Sequence, residues 1–169
     1  MHPKQEIYLR NFIFGVEDSL VSTVGLLSGI AIGGAPREVI ILTGIVLVLV
    51  EAFSMGVGSF LAEYTAEEMV LQREIPRRTS VIGGIIMFIS YVAAGCIPLL
   101  PYIVLSVTPS ALSVSVTASL IALFFLGMLG GRIGGSGIIH RGFRMLILGG
   151  LAIAVGALAA RFAAFVSIM

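Results

Sequence analysis

Three residues of this chain could hold a metal ion at a depth where lipid would ordinarily exclude charge. The stretch 39–62 reads VIILTGIVLVLVEAFSMGVGSFLA and carries one charged residue, Glu51, near its middle. As a helix it spans roughly 36 Å, more than a hydrocarbon core of about 30 Å, so Glu51 falls near the midplane. An acid there costs about 2.5–3.5 kcal/mol on insertion scales, which the surrounding leucines and valines offset. Met55 follows one turn later and sets a thioether on the same helical face. Asp18 stands in the preceding apolar stretch, about 11 Å inside its first boundary, where helix packing alone requires no acid. Glu17 is adjacent in sequence but about 100° around the helix, so the two acids share a cavity only if it is wide.

That ligand set has a chemistry. Carboxylate oxygens suit hard or borderline divalent ions, and the thioether of Met55 shifts the preference from Mg²⁺ and Ca²⁺ towards transition metals. With no cysteine or histidine cluster to favour Cu(I) or a tight zinc site, Fe²⁺ or Mn²⁺ fits best, weakly bound and partly hydrated. A carboxylate binds metal only after losing its proton, so metal and proton compete for the same residues, the physical basis of antiport. The acids of one span cannot enclose a cation. A homodimer sharing a site between two copies of spans one and two is therefore expected.

The elements that position these residues are membrane spans. Hydrophobic residues make up 58% of the 169, charged residues only 11%, and mean hydropathy is +1.12, too little polar surface to solvate a soluble domain of this size. An all-α polytopic protein with five transmembrane helices follows, over 11–33, 39–62, 80–104, 111–131 and 143–166. Pro98 and Pro101 are expected to interrupt the third span near its end, and Pro109 to precede the fourth. Eight of the ten basic residues fall before span one or in the two connections after spans two and four; only Arg37 and Arg161 lie on the other side. The positive-inside rule then places the amino terminus in the cytosol. MHPKQEIYLRNF shows no signal-peptide cleavage pattern, so the first span is expected to be retained. A net charge of +1 gives no reason to expect a nucleic-acid partner. Cys96, alone in an apolar run, reads as a packing residue.

All nine acids lie at or before Glu74, so any carboxylate site belongs to the first two spans and the helical extension 63–79 that follows them. In that extension Glu63, Glu67 and Glu74 recur at intervals of four and seven, one face of a helix that could collect cations at the mouth of a pathway. Asp18, Ser22, Gly25, Gly29 and Gly33 form a stripe of small residues on span one, suited to close helix approach. Spans three to five read as scaffold, with Ser115, Thr117 and Ser119 expected to bond carbonyls of their own helix. An enzyme is not expected. GGSG at 134–137 satisfies a G-x-S-G serine motif, but the histidines are His2 in the tail and His140 on the same loop.

Beyond these readings, the chain resembles the vacuolar iron transporter family. GVEDSLVST at 15–23 is similar to the family's first-helix motif, with Asp18 on its pathway aspartate and Ser19 replacing a glycine; AFSMGVG at 52–58 is similar to the second-helix motif and puts Met55 on the pathway methionine. LLPY at 99–102 and RMLILGG at 144–150 resemble the third- and fifth-helix signatures. The resemblance implies a dimeric, five-span exporter of Fe²⁺ and Mn²⁺ with no resident cofactor. Two departures stand out. The family's glutamate eight residues before the methionine is Leu47 here, and the acid is Glu51, about 6 Å along the helix. The long cytosolic insertion of plant members is absent, as expected of a short prokaryotic-type member in a plasma membrane. The reading from another class is a non-transporting scaffold that dimerises through its glycine-rich helix faces.

Overall fold

Five helices follow one another in the computed structural model: α1 Pro3–Ile32, α2 Arg37–Leu71, α3 Arg78–Val104, α4 Thr108–Ile133 and α5 Ile138–Ile168. It describes residues 3–71, 78–135 and 137–168, with side chains for 4–65, 78–135 and 137–166. Every helix contains a stretch long and apolar enough to cross a membrane, and no strand occurs among the described residues. The chain is an integral, multi-pass membrane protein.

α1, the least hydropathic of the five, sits at the centre and packs against α2, α3, α4 and α5. α2 leans on α1 and α3, α5 on α1 and α4. The sequence explains this order. α1 is rich in small and hydroxyl-bearing residues that pack against protein, whereas α5 turns Ile147, Leu151, Val155, Leu158, Phe162 and Phe165 outward as lipid-facing surface. α1 starts well before residue 11 and ends in a Schellman turn: Gly34, at φ +80°, donates to Ala31 O while Ala35 donates to Ile30 O.

The glycine stripe of α1 is consumed inside the protomer. A Cβ on Gly29 would lie 2.7 Å from the carbonyl oxygen of Gly156, and one on Gly25 would lie 3.0 Å from that of Ala152. The small-residue faces of α1 and α5 thus meet each other, backbone on backbone. Asp18 and Ser22, nominally on the same stripe, turn away from α5 and line a cavity with α2. The α1 stripe is therefore closed to a second copy, whereas Gly58 of α2 meets nothing within 4 Å.

Three local expectations are corrected. α3 does not break at its prolines: Pro98 and Pro101 lie inside the helix, which runs to Val104. Prolines are tolerated inside membrane-spanning helices, where neighbouring helices and small local adjustments accommodate the freed carbonyls. Arg37 acts at the end of the same helix, donating to the carbonyls of Tyr102 at 2.7 Å and Ile103 at 2.6 Å. An arginine on the sparsely basic side of the membrane thereby gains a structural task as the cap of α3. Ser115 does not bond within α4; its hydroxyl donates across to Pro98 O at 2.7 Å. Cys96 is exposed on the outer surface of α3, so it fills no core.

Candidate metal site

Side chains from three helices converge on one carboxylate oxygen. The Ser22 hydroxyl of α1 donates to Glu51 Oε2 on α2 at 3.1 Å, and the Tyr91 hydroxyl of α3 donates to the same oxygen. The two hydroxyl oxygens are themselves 2.7 Å apart. Tyr91 is fully buried, and its backbone carbonyl accepts a hydrogen bond from Ser19 Oγ at 2.7 Å, which holds α3 in register against α1. Three contacts thus join the three oxygens into one cluster.

Asp18, Ser22, Glu51, Ser54 and Met55 line a cavity of about 270 Å³ between α1 and α2. Neither Asp18 nor Oε1 of Glu51 has a hydrogen-bond partner among the described residues, so three carboxylate oxygens remain open for a ligand. Ser54 is exposed, and the cavity is partly open to the outside of the bundle on this side. Among the described residues no three acids, histidines or cysteines gather into a metal-holding group. A cation resting on Asp18, Glu51 and Met55 would therefore complete its shell with water or with groups from another chain.

Met55 is also a wall of a second, larger cavity of about 750 Å³, which it shares with Arg10, Asn11, Glu17, Ser59 and Glu63. Asp18 and Glu17 thus line different cavities, with Met55 common to both. Glu63 is not on a solvated face: it is 6% exposed, accepts from Asn11 Nδ2 at 2.7 Å and pairs with Arg10 at 2.9 Å. The clasp rests on bare backbone, since a Cβ at Gly83 would come within 2.7 Å of both Asn11 Nδ2 and Glu63 Oε2. Oε2 of Glu63 is buried without a partner among the described residues. α2 continues unbroken past residue 62 to Leu71, carrying Glu67 with it, though the side chain of Glu67 is outside the described set. Glu74 and Ser136 of the GGSG loop lie outside the described residues.

Tyr91 escapes a reading of the sequence because span three looks like scaffold. Its one signal is a hydroxyl in the middle of an apolar span, and nothing in a single sequence says which neighbouring helix such a group meets.

The profile of the VIT family matches this chain over residues 9–82 and 66–161, nearly its whole length. The chain belongs to the VIT family. Its members are transporters rather than enzymes. Relatives include vacuolar iron transporter 2 of Oryza sativa subsp. japonica, 25% identical over 85% of this chain and 82% of that protein. Vacuolar iron transporter homolog 4 of Arabidopsis thaliana is 28% identical over 91% of this chain and 83% of its own length. The rice alignment runs through 204 positions although it takes in only 85% of 169 residues, so that relative carries residues missing here. The Arabidopsis alignment, at 166 positions over 91% of this chain, carries a much smaller excess. The VIT family model matches in two pieces that overlap at 66–82, between the end of α2 and the start of α3.

Proposed function

We propose that this chain carries Fe²⁺ or Mn²⁺ out of the cytosol in exchange for protons, working as a homodimer. The observation behind the proposal is the pairing of two carboxylates, Asp18 and Glu51, with the thioether of Met55 on the wall of one cavity within the span. Oxygen ligands and one soft sulfur suit a borderline transition ion, and the relatives named as iron transporters point the same way. Asp18 and Glu51 hold the ion, Met55 adds selectivity, and Glu17 faces the larger cavity through which the ion approaches. Glu63 lines that cavity within its clasp with Arg10 and Asn11, and the acids that follow it in the sequence, Glu67 and Glu74, collect cations.

Proton coupling follows from the chemistry of the ligands. Metal and protons compete for the carboxylates of Asp18 and Glu51, so binding one displaces the other. Dimerisation is supported by the open side of the cavity. A cleft bearing two carboxylates is costly against lipid, and a second copy applied to α1 and α2 would cover it and add ligands. The excess of basic residues in the connections after spans two and four supports an amino terminus in the cytosol. The short, insertion-free chain fits the plasma membrane of a prokaryote.

The test is metal uptake into liposomes containing the purified chain, with Fe²⁺, Mn²⁺, Co²⁺ and Zn²⁺ compared. Faster uptake of Fe²⁺ or Mn²⁺ than of Zn²⁺, lost in Asp18→Ala with Glu51→Ala while the dimer persists, supports the proposal. Uptake that ignores both substitutions removes its basis.

A further inference from the structure

Glu51 is held by only one of its two oxygens, and one of the two groups that hold it, Tyr91, lies outside the two helices that line the site. We infer that Tyr91, acting with Ser22, sets ion selectivity by limiting Glu51 to a single free oxygen. The inference rests on the metal-transport reading above. Ser22 and Tyr91 both address Oε2, and neither touches Oε1. Tyr91 has no freedom to withdraw: its side chain is fully buried, and Ser19 anchors its backbone at 2.7 Å. Oε2 is tied back against α1 and α3, and Oε1 alone is left for a metal.

Denticity separates ions that charge cannot. Ca²⁺ gathers six to eight oxygens and commonly takes a carboxylate through both of its oxygens at once. Fe²⁺ and Mn²⁺ are satisfied with fewer ligands, and here would find one oxygen of Glu51, the carboxylate of Asp18, the Met55 sulfur and water. Met55 discriminates by softness, mainly against Mg²⁺; Tyr91 discriminates by ligand count, mainly against Ca²⁺. Tyr91 is a positioning residue in this scheme and contacts no ion.

The experiment is Mn²⁺ uptake by the full chain in liposomes, with Ca²⁺ as competitor, for wild type, Tyr91→Phe, Ser22→Ala and the double variant. Phenylalanine keeps the ring in its core position and removes only the hydroxyl. Outer-sphere partners of metal ligands commonly change affinity 10–100-fold, so Tyr91→Phe should lower the Ca²⁺ concentration that halves Mn²⁺ uptake by about tenfold. Ser22→Ala should shift it less in the same direction, and the double variant most. A purely structural role would slow Mn²⁺ uptake and leave the Ca²⁺ to Mn²⁺ ratio alone, and an unchanged ratio overturns the inference. If Tyr91→Phe does not fold, Ser22→Ala decides, and no shift there is equally fatal. Wild type that moves Mn²⁺ with unaltered selectivity in every variant sinks this inference alone. Wild type that moves no divalent metal sinks the transport reading and this inference with it.

Discussion

Ser22 of α1 reaches Glu51 of α2 at 3.1 Å, and this contact ties together the two helices that carry the acids. Tyr91 is within 2.7 Å of the same serine, so removing Glu51 would leave two hydroxyls still able to satisfy each other. The carboxylate is therefore dispensable for the fold. Glu51→Leu removes an acid that costs about 2.5–3.5 kcal/mol at the centre of a span, so its thermal midpoint in detergent should equal or exceed that of wild type. Metal uptake by the same variant should be abolished. A large drop in stability would mean that Glu51 is a structural group.

Close packing of α1 on α5 gives a second expectation. A methyl group on Gly29 would press on Gly156 O at 2.7 Å, where backbone rather than a flexible side chain must yield. Gly29→Ala should lower stability by about 1–3 kcal/mol, in the range of overpacked cores. A methyl group on Gly150, also in α5, would meet no atom within 4 Å, and Gly150→Ala should be neutral or should gain up to about 1 kcal/mol from helix propensity. Thermal unfolding of the two variants in parallel checks the pair.

The clasp between α1 and α2 separates exposed from buried partners. Arg10 is 65% exposed, so Arg10→Gln should cost no more than about 1 kcal/mol. Asn11 is buried, and Asn11→Ala withdraws a 2.7 Å donor from a carboxylate that is itself 6% exposed. Its cost should be about 1–3 kcal/mol, and unfolding of the two single variants side by side should rank them in that order. The opposite ranking would mean that the ion pair holds the clasp.

Arg37 offers a fourth. Its guanidinium feeds two carbonyls at the end of α3 through different nitrogens. Lysine keeps the charge but not the planar fork, so Arg37→Lys should recover little of the stability lost in Arg37→Ala. Full recovery by lysine would show that charge alone matters at this corner.

Much of this fold is legible in the sequence. The five spans follow from apolar runs longer than the bilayer is thick; Asp18 and Glu51 stand out because lipid makes any charge conspicuous, and Met55 because it follows Glu51 by one helical turn. What stays hidden depends on which helix meets which. The spacing of Asp18, Ser22, Gly25 and Gly29 describes one stripe, but the stripe serves α2 at one end and α5 at the other. Glu63 has the periodicity of a solvated row, yet Arg10 and Asn11 draw it into the bundle from fifty residues away. Tyr91, Ser115 and Cys96 mislead for one reason. In an apolar helix the polarity that marks the inward face of a soluble helix is largely missing, so inward and lipid-facing positions look alike.

The central claim is that metal and protons take turns on Asp18 and Glu51. The measurement that tests it most directly is Mn²⁺ uptake into liposomes, with lumenal pH recorded in the same run, with and without an acidic lumen. An acidic lumen should accelerate uptake, each Mn²⁺ taken up should be matched by loss of lumenal protons, and both signals should vanish in Asp18→Asn with Glu51→Gln. Uptake at the same rate in both conditions, with a flat lumenal pH, would contradict the claim and leave a carrier that moves its ion uncoupled.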